Sequence, residues 1–173
     1  ETSLSAGMKV GETMGKFHAD LFLKRRRPAA MLARRPIGCR LWPAQCNAPA
    51  FQKISDCLDL VSLPFGWTVT EPHPTQFETT ALEQCATLLK SRKITLFGHS
   101  LVSFDRAQLP AWVIKSAKDF DTLREMAGRR IRHLLKTFAG HISAWEIVSG
   151  IHAANPFKLP LDQIMDLTRM SAI

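Results

Sequence analysis

Four side chains stand where they could exchange protons with a bound molecule. His99 follows an apolar run at 93–97, Asp105 lies in the loop after it, Glu146 sits inside the apolar run 142–148, and His152 lies just beyond. Asp105 or His152, in loops after such runs, can in principle protonate a leaving group. Glu146 is expected to pair with a neighbouring strand or helix instead. The cysteines at 39, 46, 57 and 85 form no Cys-x-x-Cys pair, and no histidine falls at zinc-finger spacing. They are therefore expected as buried or free thiols, not as a disulfide or metal framework. Neither Gly-x-Gly-x-x-Gly nor the phosphate-loop pattern occurs, so no nucleotide or other cofactor is implied.

These residues need a frame. The chain has 173 residues, 46% hydrophobic and 22% charged, a composition that builds a core and argues against disorder. Residues 1–35 read as a polar start and then a basic helical stretch broken at Pro28. From residue 36 onward, strands expected at 37–41, 58–63, 93–97 and 142–148 alternate with helices. The helices are expected at 48–57, from Thr79 or Thr80 onward, at roughly 121–137 and from 161 to the end. Leu82, Cys85, Leu88 and Leu89 recur at helical spacing, as do Leu123, Met126, Ile131, Leu134, Leu135 and Phe138. Gly98 is expected to end the third strand and Gly140 to stop the third long helix. Consecutive X-Pro units make 71–74 a loop. Strand-then-helix repeated in this way predicts a parallel α/β sheet. Periodicity does not separate an open doubly wound sheet from a barrel.

The net charge of +8 is concentrated in Lys24, Arg25, Arg26, Arg27, Arg34 and Arg35, and in Arg129, Arg130, Arg132 and Lys136. Solvated basic helix faces are the expectation. No aromatic residue interleaves with the first run, so nucleic acid is not an expected partner. The chain starts at Glu1 rather than Met and is expected to be a processed product or a piece of something longer. Residues 1–17 hold no apolar signal-peptide core. No apolar run approaches about 18 residues, so no membrane-spanning helix is expected.

Three segments together resemble glycoside hydrolase family 10, the endo-β-1,4-xylanases. Leu60-Val61-Ser62-Leu63-Pro64-Phe65-Gly66-Trp67, continuing to Glu71-Pro72, is similar to that family's second strand and the turn after it. Gly98-His99-Ser100-Leu101-Val102, followed by Gln108-Leu109-Pro110-Ala111-Trp112, is similar to its Gly-His-x-Leu-Val…Gln-x-Pro-x-Trp block. Trp145-Glu146-Ile147-Val148-Ser149-Gly150 is similar to its Trp-Asp-Val-Val-Asn-Glu.

The resemblance implies a partial (β/α)₈ barrel, the first four β/α units at 36–173, with a basic segment at 1–35 before it. A full barrel needs about 250 residues and eight strands. The family is a retaining hydrolase that uses two carboxyl groups to cleave O-glycosyl bonds of xylan-like polysaccharide. Here the acid/base glutamate maps onto Gly150, and the nucleophile belongs to strands beyond these four. No catalytic residue is therefore assigned, and the chain is expected to be inactive. Glu146, four residues before Gly150, is about 13 Å away along a strand and too far to substitute. Carried over as substrate-binding are His99, Trp112, Trp67 and Ser149, the last replacing an asparagine that binds the sugar 2-hydroxyl. The family's lysine is lost at Gly66, and its Trp-His pair becomes Ser103-Phe104. Family members are usually secreted; this chain's compartment stays open.

Two alternative functions remain: a non-catalytic carbohydrate-binding or scaffold module, and a basic module that binds polyanions through 24–35. A half barrel leaves two sheet edges and an inner face, expected to include Val61, Leu63, Ile94, Leu96 and Ile147. Its expected partner is a second copy or a missing C-terminal half.

Overall fold

A computed structural model describes residues 2–26, 36–151 and 154–172. Two compact units divide the chain, Glu1–Pro36 and Ile37–Ile173. In the first, α1 (Thr2–Arg26) is one helix. The polar start is thus helical too, since Ala, Met, Lys and Glu carry good helix propensity and no proline precedes residue 28. Lys16 and Glu12 form an i,i+4 ion pair on it. The break expected at Pro28, and Arg27, Arg34 and Arg35, lie outside the described residues.

The second unit runs β1 (Gly38–Arg40), α2 (Pro49–Ile54), β2 (Leu60–Pro64), α3 (Trp67–Thr70), α4 (Thr80–Ser91), β3 (Thr95–Ser103), α5 (Ala111–Ser116), α6 (Phe120–Thr137), β4 (Ala144–Ser149) and α7 (Leu161–Ser171). The strands form one four-stranded sheet in the order β1-β2-β3-β4, and every pairing is parallel. No helix among the described residues is long and apolar enough to cross a membrane.

Local chemistry sets the long helices. Asp119 caps α6 by accepting from the Thr122 N–H at 2.7 Å. The α6 stripe Leu123, Met126, Ile131 and Leu134, with Phe138 beyond it, is buried. Gly140, at φ +74°, turns the chain back toward β4 in a conformation that favours glycine.

Register partners in a parallel sheet share a face. One face carries Cys39, Val61 and Leu96 in one row and Leu63, Gly98 and Trp145 in the next. Val61, Leu63 and Leu96 pack there in one core with Leu82, Cys85 and Leu89 of α4 and Leu134 of α6. The other face carries Ser62, Phe97 and Ala144 in one row and Pro64, His99 and Glu146 in the next. It is open: Phe97 is 39% exposed.

This corrects the expected inner face. Val61, Leu63, Ile94 and Leu96 belong to the buried core, and Ile147 is half-buried. Both faces of these strands carry apolar residues, as parallel strands do, so apolarity alone does not say which face points inward. A second correction concerns β3, which runs through Gly98 to Ser103 instead of stopping at 97. Gly98 is a crossing point: a Cβ there would meet the Trp145 ring at 2.1 Å. The loop expected to carry Asp105 therefore begins only after Ser103. Two short helices, α3 and α5, occupy stretches to which neither strand nor helix was assigned.

The thiol expectation is also overturned for one pair: Cys46 and Cys85, 39 positions apart in sequence, form a disulfide with Cα atoms 5.9 Å apart. The turn after β1 packs against α4, and no local spacing reveals that contact. Cys39 and Cys57 are free, and burial pushes the Cys39 thiol up.

An open face and unpaired outer edges on β1 and β4 predispose a sheet to association. The 173-residue chain in isolation is expected to run above its 19.4 kDa monomer mass in light scattering, or to bind a hydrophobic dye. A cooperative monomer that binds no dye would show that the open face is self-sufficient.

Candidate functional site

The end of the sheet where the strands finish is organised around Glu71, which is fully buried. Its carboxylate accepts from Trp67 Nε1 at 2.9 Å, from the Thr75 N–H at 3.0 Å and from Arg129 Nη2 at 3.0 Å. Trp67 and Glu71 are four residues apart across α3, a spacing that puts both on one face. The Glu71 carbonyl accepts from Trp112 Nε1 at 3.2 Å, and the two indoles meet edge to face at 6.2 Å. Below them Arg130 is 1% exposed. Its guanidinium donates to the carbonyls of Leu101 and Phe65 and to the Thr70 hydroxyl, and it lies 5.1 Å from the Trp67 ring centre. Burial pulls its pKa down and the Glu71 charge pulls part of the way back, leaving it at about 9, so the group is cationic at neutral pH. This cluster places Trp67 in the interior, 2% exposed, and Trp112 half-buried beside it.

His99 stands on the open face, its Nδ1 against the Glu146 carboxylate of the neighbouring strand. Burial and then the Arg40 charge hold the ring below the ordinary histidine range. In the neutral ring Glu146 accepts Nδ1–H, which leaves Nε2 as an acceptor. A cavity of about 260 Å³ opens beside the ring, walled by Arg40, Trp42, Gly66, Asp105 and Gln108 among others. Gly66 leaves room that Gln108 partly takes: a Cβ at Gly66 would sit 3.3 Å from Gln108 Oε1.

The far side of the site is closed by backbone. Gly150 has φ +77°, and a Cβ built on it would lie 3.0 Å from the Asp105 nitrogen and 3.5 Å from the Phe104 carbonyl carbon. The Ser149 hydroxyl lies 2.8 Å from the Ser100 hydroxyl and donates to that of Ser103 at 3.1 Å. Asp105 is exposed, and its Oδ1 accepts from the Ala107 N–H at 3.0 Å. His152 lies outside the described residues.

The structure thus gathers His99, Asp105 and Glu146 at one end, puts Ser149 in a chain of hydroxyls, and sets Trp67 and Trp112 behind the wall. Arg40 and Trp42 were not singled out from the sequence. The signal available was an arginine and a tryptophan at the end of the first strand, outside every matched motif. Among the described residues, no group of three His, Cys, Asp or Glu side chains is placed to hold a metal ion.

The His99 environment has a measurable consequence. A depressed pKa means that the unfolded chain takes up the proton first as pH falls. The contribution of neutral His99 to stability is therefore present above the ordinary value of 6.5 and is lost as pH drops through the folded value. An NMR titration is expected to place His99 below 6.5, and Arg40→Gln is expected to move it upward. An inflection at or above that value would contradict the described environment.

Comparison with known proteins fits this geometry. The family model for glycosyl hydrolase family 10 matches residues 65–166. Endo-1,4-beta-xylanase A of Phanerodontia chrysosporium is 31% identical over 83 residues, which cover 48% of this chain and 20% of that protein. Endo-1,4-beta-xylanase 2 of Claviceps purpurea is 32% identical over 82 residues, 47% of this chain and 24% of that protein. The chain thus spans no more than about a quarter of the curated relatives it matches. Native xylanase10C from Cellvibrio japonicus superposes with a TM-score of 0.66 at 14% identity, covering 79% of this chain and 33% of that one. A mutant of that xylanase, in complex with xylopentaose, aligns with the same TM-score, 0.66. The four parallel strands and their helices are part of an α/β barrel, and the chain belongs to glycosyl hydrolase family 10.

Proposed function

We propose that this chain supplies one side of a cleft for a xylan-type polysaccharide and does not cleave it. The observation that carries this reading is Gly150. Retaining hydrolysis needs an acid/base carboxyl about 5–5.5 Å from a nucleophilic carboxylate. The acid/base position, by resemblance, holds no side chain. Its left-handed backbone and the closeness of Phe104 and Asp105 leave a glutamate there strained as well as absent. The other carboxylates near the site are committed: Glu71 to Trp67, Thr75 and Arg129, Glu146 to His99, and Asp105 to the Ala107 N–H.

The binding side is better kept. His99 Nε2 accepts from a saccharide hydroxyl while Glu146 fixes the ring. Ser149, its hydroxyl shared with Ser100 and Ser103, reaches a sugar through water. Trp67 and Trp112 act from behind by holding the wall that α3 and α5 build. That xylanase10C is known in complex with xylopentaose supports a β-1,4-linked xylose chain as the ligand class.

Electrophoresis through gels with and without xylan, beside a reducing-sugar assay on xylohexaose, tests both halves. Retardation by xylan without release of sugar is expected. Gly150→Glu is expected to restore no turnover and to lose about 1–3 kcal/mol of stability, the cost of a non-glycine residue in a strained conformation. Turnover that survives extensive purification and vanishes in Asp105→Ala would refute the proposal.

A further inference from the structure

The cavity beside His99 has two walls that the family motifs do not touch. Arg40, the last residue of β1, is exposed, and among the described residues its guanidinium has neither a carboxylate partner nor a hydrogen bond. Trp42, two residues on, is 49% exposed, and its indole makes no ring contact or hydrogen bond among the described residues. A guanidinium and an indole without other partners among the described residues line one cavity, and each has a natural complement: a carboxylate for the fork and a pyranose face for the ring.

The backbone that carries the indole is held in place. The Trp42 backbone N–H donates to Gln45 Oε1 at 2.9 Å, Pro43 opens the short turn Pro43–Gln45, and Cys46 at its end is bonded to Cys85 of α4. A site fixed before binding loses less entropy when a ligand arrives.

From these observations we infer that Arg40 and Trp42 form a subsite for an acidic sugar unit, a pyranose bearing a carboxylate, on an otherwise neutral β-1,4-linked chain. The inference rests on the saccharide-binding reading above and adds a preference to it. Trp42 stacks on the ring, Arg40 takes the carboxylate, and Gln108 and His99 Nε2 are left for hydroxyls. The cavity, about 260 Å³, lies just below the range for drug-sized ligand pockets, roughly 300–1,000 Å³, and suits one such unit rather than a chain. Asp105 lines the same cavity, but the Ala107 N–H holds its Oδ1, and Arg106 follows it in the next turn. The net charge of +8 favours the approach of an acidic polysaccharide.

The test isolates the carboxylate. Calorimetric titration of the full chain uses three ligands: xylohexaose, the same oligosaccharide carrying one glucuronic acid branch, and the methyl ester of that branch. The acid is expected to bind about 3- to 10-fold more tightly than its ester, the range for a partly exposed Arg–carboxylate contact. The preference is expected to disappear in Arg40→Gln and in molar salt, and to persist in Arg40→Lys in weaker form. Trp42→Ala is expected to weaken acid and ester alike. Equal binding of acid and ester, or a preference that survives Arg40→Gln, would overturn the inference while leaving the saccharide-binding reading intact. Failure of all three ligands to bind would overturn both.

Discussion

The buried contact between Glu71 and its donors is the constraint on which the rest of this site depends. A fully buried carboxylate is costly unless every lone pair is used. Here α3, the following loop and α6 each supply a donor, and the guanidinium of Arg130 adds a counter-charge below. Arg130 in turn reaches the carbonyls of Phe65 and Leu101 at the ends of β2 and β3. Two strand ends, two helices and two tryptophans are thereby tied to one point. Removing any member leaves a buried charge or a buried indole N–H without its partner.

Trp67, Trp112 and Glu71 are held by hydrogen bonds within this cluster, whereas His99 stands apart from it against Glu146. Gly150 stands after the last residue of β4, and its φ of +77° is one where a glutamate would be strained.

Much of the frame was legible from the amino acids. Alternating apolar strands and amphipathic helices gave the parallel order, because Val61 and Leu63, or Leu123 and Leu134, repeat at the two periods that distinguish strand from helix. The motif around His99 and Trp112 assigned both residues to one candidate site. What stayed hidden was tertiary. The continuation of β3 past Gly98 depends on Trp145 lying across it, and the bond between Cys46 and Cys85 depends on a turn meeting a helix. Which strand face looks inward follows from the helices that cover Val61 and Leu96, not from those residues' own polarity. Arg40 and Trp42 were missed because a lone arginine and tryptophan carry no pattern until a cavity joins them.

Urea unfolding of Glu71→Ala, followed by tryptophan fluorescence, tests the dependence of the cleft on its buried charge most directly. The substitution leaves Arg130 without its counter-charge and the Trp67 indole N–H without an acceptor. A loss of about 3–5 kcal/mol is expected, the cost of breaking a buried pair from one side. An unfolding midpoint and slope unchanged from the parent chain would contradict the claim that this contact holds the site together.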